Sequence, residues 1–80
     1  MRLLLAEDVR LVREPLAHAL KCAGWAVDTA EDGERALELA LSVAYDAIVL
    51  DIMLPGMDGL QVLTDLRASG SEVPVILLTA

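Results

Sequence analysis

A parallel α/β sheet with the element order β-α-β-α-β-α-β is the fold that these 80 residues predict. Two observations carry the prediction. Short apolar runs recur along the chain, most of them without polar alternation, and segments with helical spacing separate them. Strands that are apolar on both faces belong in the middle of a helix-covered sheet. Strands alternating with helices imply parallel pairing through right-handed crossovers.

The first strand is Leu3-Leu4-Leu5-Ala6. The first helix follows, with Val12, Leu16, Ala19, Leu20 and Ala23 expected on one face at i, i+4, i+7, i+8 and i+11. Pro15 falls inside that stripe, where it removes an amide donor, so the helix either starts late, near Leu11 or Val12, or kinks. Ala26-Val27 marks the second strand, and Ala36, Leu37, Ala40 and Leu41 the second helix. Ala47-Ile48-Val49-Leu50 is the third strand, Val62, Leu63 and Leu66 stripe the third helix, and Val73 to Leu78 is the fourth strand. Asp32 and Asp58 suit the N-caps of the second and third helices, because a short carboxylate accepts from first-turn amides. Gly24 and Gly70 suit the left-handed positions after the first and third helices.

Composition narrows the function. Hydrophobic residues make up 56% of the chain, enough to build a core. Thirteen acids against six bases leave a net charge of −7, which speaks against nucleic-acid or anionic-membrane binding by these residues. No apolar run approaches the roughly 18–20 residues of a membrane span. Met1-Arg2-Leu3-Leu4-Leu5 resembles a short signal core, but Glu7 and Asp8 interrupt it and no cleavage pattern follows. The one cysteine, Cys22, excludes an internal disulfide and fits a reducing cytoplasm.

Reactive groups of an open parallel sheet gather beyond the carboxyl ends of its strands. Here the first strand ends in Glu7-Asp8, the third in Asp51 and the fourth in Thr79, while Thr29 and Ala30 of the second offer little. If the first and third strands are neighbours, three carboxylates converge at one rim. Like charges that close repel unless a cation compensates. Hard oxygen ligands with open positions suit Mg²⁺. Taken singly, Glu7 and Asp8 read better as caps of the first helix and Asp51 as a solvated strand end; it is the three together that point to a cation.

The runs Leu3-Leu4-Leu5-Ala6-Glu7-Asp8, Tyr45 through Gly59, and Pro74-Val75-Ile76-Leu77-Leu78-Thr79-Ala80 resemble the receiver domain of bacterial two-component response regulators. The likeness covers the whole chain, and the middle run, Tyr-Asp-Ala-Ile-Val-Leu-Asp-Ile-Met-Leu-Pro-Gly-Met-Asp-Gly, is its most specific part. That run, with Leu66 to Gly70 after it, is most similar to the winged-helix class of transcriptional regulators.

The resemblance implies a flavodoxin-like sheet with strand order 2-1-3-4, of which residues 1–80 are the N-terminal two-thirds, with no output domain. It makes Asp51 the phosphoacceptor for a histidine kinase. Asp8 binds Mg²⁺ (or Mn²⁺) directly, Glu7 acts through a metal-bound water, and the Met53 backbone carbonyl is a further ligand. The Thr79 hydroxyl and the Ala80 amide hold phosphoryl oxygens, and Pro55 and Gly59 fit a stiff, tightly turned loop. The implied protein is a cytoplasmic switch that catalyses its own phosphorylation and slow hydrolysis, not a turnover enzyme.

The sequence departs from the family in stopping after the fourth strand. The fourth helix, the fifth strand with its lysine, and the fifth helix are absent, and Lys21, in the first helix, cannot replace that lysine. Val9 stands where a third acid is usual. Slower labelling of Asp51 is therefore expected. So is self-association, as a dimer or by element exchange, through the Val73–Leu78 edge or an uncovered face expected to bear some of Val49, Val75 and Leu77. The main alternative is a non-signalling interaction module on the same fold. A haloacid-dehalogenase-type phosphatase needs a second Asp where Met53 stands, and a nucleotide site needs a Gly-rich loop that the first strand lacks. His18 (with no ligand partner expected nearby), Cys22 and Met57 read as helix or loop residues, Trp25 and Tyr45 as packing at the amino edge, and Glu31, Glu34 and Glu38 as a solvated helix face.

Overall fold

The structure is a computed structural model that describes residues 1–79. Its elements are β1 (Arg2–Ala6), α1 (Arg10–Cys22), β2 (Ala26–Ala30), α2 (Gly33–Ser42), β3 (Ala47–Asp51), α3 (Gly59–Ala68) and β4 (Val75–Leu78). The strands form one parallel sheet in the order β2-β1-β3-β4, as expected. The second strand is longer than its apolar residues suggest, because Asp28 and Thr29 continue the pairing with Leu4 and Leu5. The fourth is shorter: Val73 and Pro74 precede it, and the Pro74 carbonyl accepts from the Ile48 amide.

Strand alternation divides the core. Leu4, Ala6, Ile48 and Leu50 face α2 and α3 and pack with Ala36, Val62 and Leu66. Leu3, Leu5 and Val49 face α1 and pack with Ala17. Leu4, Leu5, Leu50 and Leu66 are fully buried, and each such side chain contributes roughly 1.5–3 kcal/mol of transfer free energy.

The helix ends follow local chemistry. Asp32 accepts from the Arg35 amide at 2.8 Å and Asp58 from the Gln61 amide at 2.9 Å, so both caps form as their sequence positions suggest. Gly24 and Gly70 adopt φ of 101° and 94° after α1 and α3.

Two expectations need correction. The apolar stripe of α1 is rotated: Arg13 and Ala17 are buried and Leu16 and Leu20 half-buried, whereas Val12, Ala19 and Ala23 are exposed. The helix also begins at Arg10, so Pro15 lies beyond its first turn and has no amide to donate to the carbonyl of Leu11, a residue 86% exposed. On β4, Val75 and Leu77 point toward the α2–α3 side and pack against that core. The exposed member of the strand is Ile76, which pairs with Val49 and shares its α1-side face.

At the amino end of the sheet, Arg2 and Tyr45 converge on Asp28. The Arg2 guanidinium donates to Asp28 at 3.0 Å and the Tyr45 hydroxyl at 2.7 Å. These hydrogen bonds, the one from Arg2 first, hold the Asp28 carboxyl below its usual range. Burial, then the bond to Asp28, pushes the Tyr45 hydroxyl up to about 12. Tyr45 thus packs at the amino edge as its sequence position suggests, fixed there by an acid on β2.

Candidate functional site

Pairing of Ala6 with Leu50 puts the next residues, Glu7 and Asp51, side by side where β1 and β3 end. The Glu7 amide donates to Ala30 at 3.0 Å, so β1 stays tied to β2 one residue beyond the strand. Carboxylate oxygens of Glu7, Asp8 and Asp51 lie within 4.8 Å of one another. Glu7 is buried, Asp51 half-buried and Asp8 exposed. Burial first, then the adjacent Asp51 carboxylate, pushes the Glu7 carboxyl up to about 7, against a pull downward from the Val9 amide. A buried acid beside a second acid takes up a proton or needs a cation.

The donor set fits such a cation. All three groups supply hard oxygen, and the mixture of buried and exposed carboxylates leaves room for retained water, as Mg²⁺ requires. Thr79 lies one residue past Leu78, the partner of Asp51, and joins Glu7, Val12, Asp51 and Leu78 in lining an open cleft of about 300 Å³. Met53 is exposed, with its amide donating to Asp51 Oδ1 at 3.1 Å. Ala80 lies outside the described residues. Lys21 lines a separate cleft with Ala17, His18 and Thr29.

The loop after β3 is fixed from both ends. The Ile52 amide donates to Leu78, and the Gly59 amide donates back to Ile52 at 2.9 Å. Its left-handed turn falls on Gly56, at φ 73°, rather than on Gly59. Gly59 serves close approach instead, since a Cβ there would collide with the Asp51 carbonyl oxygen. Gly33, opening α2, is pressed in the same way against the Met57 carbonyl oxygen, and its amide donates to Pro55.

Sequence reasoning missed Gly33 and Arg13. The Arg13 guanidinium donates to the Glu7 and Asp8 carbonyl oxygens at 3.1 and 3.2 Å and pairs with Glu31 at 3.1 Å. Glu31 is therefore neither on α2 nor merely solvated. The signal available was a base at i−3 and i−4 from Leu16 and Ala17, on the side of α1 that is buried. His18 does have a ligand-type neighbour: its Nε2 lies 3.5 Å from Cys22 Sγ, one helical turn on, with both side chains exposed.

Residues 3–80 match the family model of the response regulator receiver domain. The chain belongs to that family. As a receiver domain it is similar to the response regulator MprA of Mycolicibacterium vanbaalenii, with 45% identity over all 80 residues. It spans 35% of that protein's length. Its fold is similar to that of the response regulator TrrA of Thermotoga maritima in complex with Mg²⁺-BeF, with a TM-score of 0.93, 42% identity and coverage of 99% of this chain and 69% of that one. A matching chain in the structure of the complex between the histidine kinase ThkA and the response regulator TrrA gives a TM-score of 0.90 at 42% identity, with 99% of this chain and 68% of that one covered. The β2-β1-β3-β4 order is the receiver sheet, and no helix among the described residues is long and apolar enough to cross a membrane.

Proposed function

We propose that the chain carries the phosphoacceptor site of a two-component response regulator, with Asp51 receiving a phosphoryl group from a histidine kinase. The observation that carries this reading is the junction of buried Glu7 with Asp8 and Asp51, beside a cleft that Glu7, Asp51 and Thr79 line. Glu7, Asp8, Asp51 and the Met53 carbonyl would hold Mg²⁺ or Mn²⁺. TrrA, the similar receiver, is found with Mg²⁺-BeF and with a histidine kinase, which supports both halves of the proposal.

The chemistry is a displacement at phosphorus. An Asp51 carboxylate oxygen forms the new P–O bond as the P–N bond of a phosphohistidine breaks, and the donor imidazole departs with the electron pair. A carboxylate is a weak nucleophile, so the transfer depends on neutralising phosphoryl charge. When bound, the divalent ion supplies most of that neutralisation. The Met53 amide, which donates to Asp51 Oδ1 at 3.1 Å, orients the carboxylate for attack. The Thr79 hydroxyl and Ala80 amide would donate to phosphoryl oxygens, and hydrolysis of the acyl phosphate resets the switch. The likeness of the Tyr45–Gly59 run to winged-helix regulators supports a transcriptional output.

Beryllofluoride, a phosphoryl mimic, tests the site. With Mg²⁺ the chain binds it and Asp51→Asn does not. Retention of binding in Asp51→Asn excludes Asp51 as the acceptor.

A further inference from the structure

We propose that Arg13 is a positioning residue for the divalent ion, holding the Glu7–Asp8 backbone so that both carboxylates stay turned toward Asp51. The inference rests on the reading of Glu7, Asp8 and Asp51 as a cation site. Arg13 is the only buried base among the described residues, with 9% of its surface exposed. A buried guanidinium needs partners for its donors. Two of those found here are the carbonyl oxygens of Glu7 and Asp8, the consecutive residues that supply two of the clustered acids. A third is the carboxylate of Glu31, at 3.1 Å, in the segment between β2 and α2.

Arg13 therefore joins three pieces of chain: the first turns of α1, the end of β1 and the end of β2. Its planar fork is suited to such a role, because one group can address several acceptors at fixed angles. The Glu7–Asp8 segment has few other ties. The Glu7 amide bonds to Ala30, and the Val9 amide reaches back to Glu7 Oε1 at 3.4 Å, at the long limit. Without the guanidinium, two carbonyls lose their donor and the peptide between the acids can rotate, carrying the carboxylates out of register with Asp51.

Charge and position make opposite demands, and this gives the test its sign. As a positive charge near the site, Arg13 repels a divalent cation, so a purely electrostatic role means tighter binding when it is removed. As a positioning group, it means weaker binding. Groups that orient metal ligands typically contribute about tenfold to hundredfold in affinity. About tenfold is expected here.

Mn²⁺ titration by calorimetry at about pH 8.5, where protons no longer compete for carboxylates, separates the two. Each variant is first shown to melt cooperatively without metal. Arg13→Ala is expected to bind about tenfold more weakly than the unaltered chain. Arg13→Lys keeps the charge but not the fork, and it is also expected to bind more weakly, which keeps the test open if Arg13→Ala does not fold. Arg10→Ala, which removes an exposed base of the same helix, is expected to leave affinity unchanged or slightly tighter. Affinity in Arg13→Lys equal to or tighter than that of the unaltered chain overturns the inference while leaving the cation site standing. Absence of Mn²⁺ binding in the unaltered chain overturns both.

Discussion

Glu7 and Asp51 face each other from the ends of adjacent parallel strands, one residue beyond the paired Ala6 and Leu50. One of the two is buried, so their proximity raises the pKa of Glu7 rather than being screened away.

Metal-free stability should therefore depend on pH through Glu7. Its carboxyl holds a proton to a higher pH in the fold than in the unfolded chain. Its contribution is full below the unfolded value near 4.5 and is lost as the pH rises through about 7. Glu7→Gln removes this dependence. The melting temperature of the variant should gain on the unaltered chain between about pH 5 and about pH 8, and an unchanged difference across that window contradicts the assignment.

Divalent ion should restore what Glu7 costs. Mg²⁺ or Mn²⁺ is expected to raise the melting temperature above pH 7 and to bind more weakly as pH falls, because protons compete for the same oxygens. Asp8→Asn should lower the calorimetric affinity. Equal affinity in that variant would remove Asp8 from the ligand set.

Gly59→Ala probes the loop that carries Met53. The new methyl collides with the Asp51 carbonyl, and overpacking of this kind costs about 1–3 kcal/mol. Urea unfolding should register that loss. The same substitution at Gly70 meets no atom within 4 Å and carries only the cost of the left-handed backbone, about 1–2 kcal/mol. If the loop moves to relieve the contact, metal affinity falls in Gly59→Ala and not in Gly70→Ala.

Among the described residues β4 has a single strand neighbour, β3, and Ile76 on it is 59% exposed. An apolar edge of this kind pairs with other chains. The 80-residue chain is expected to self-associate in light scattering, and Ile76→Lys to reduce the association. A dilution-independent monomer with a cooperative melt would contradict this.

The parts of the molecule that were legible in the sequence are those governed by neighbours along the chain. Asp32 and Asp58 cap helices because their own first turns offer free amides, and Gly24 and Gly70 turn left because a helix has just ended. Unbroken apolar runs marked the strands, and their polar ends marked Glu7, Asp8, Asp51 and Thr79. Packing between distant segments was not legible. The spacing of α1 accommodates Val12 or Arg13 on the buried side, and the partners that Arg13 finds there, the carbonyls of Glu7 and Asp8 and the Glu31 carboxylate, lie outside that pattern and cannot be read from the helix. Likewise, the parity of β4 depends on its register with β3, which makes Ile76 rather than Val75 the exposed residue. Gly33 looks like an ordinary helix start until Met57 is packed against it.

The central claim is that Asp51 accepts a phosphoryl group with the help of a divalent ion held beside it. Intact-mass measurement after incubation with a small acyl or amido phosphate tests it most directly. The account predicts the addition of one phosphoryl group in the presence of Mg²⁺, labile to alkali and lost in Asp51→Asn. Labelling that persists in Asp51→Asn, or a phosphate stable to acid on serine or threonine, would contradict it.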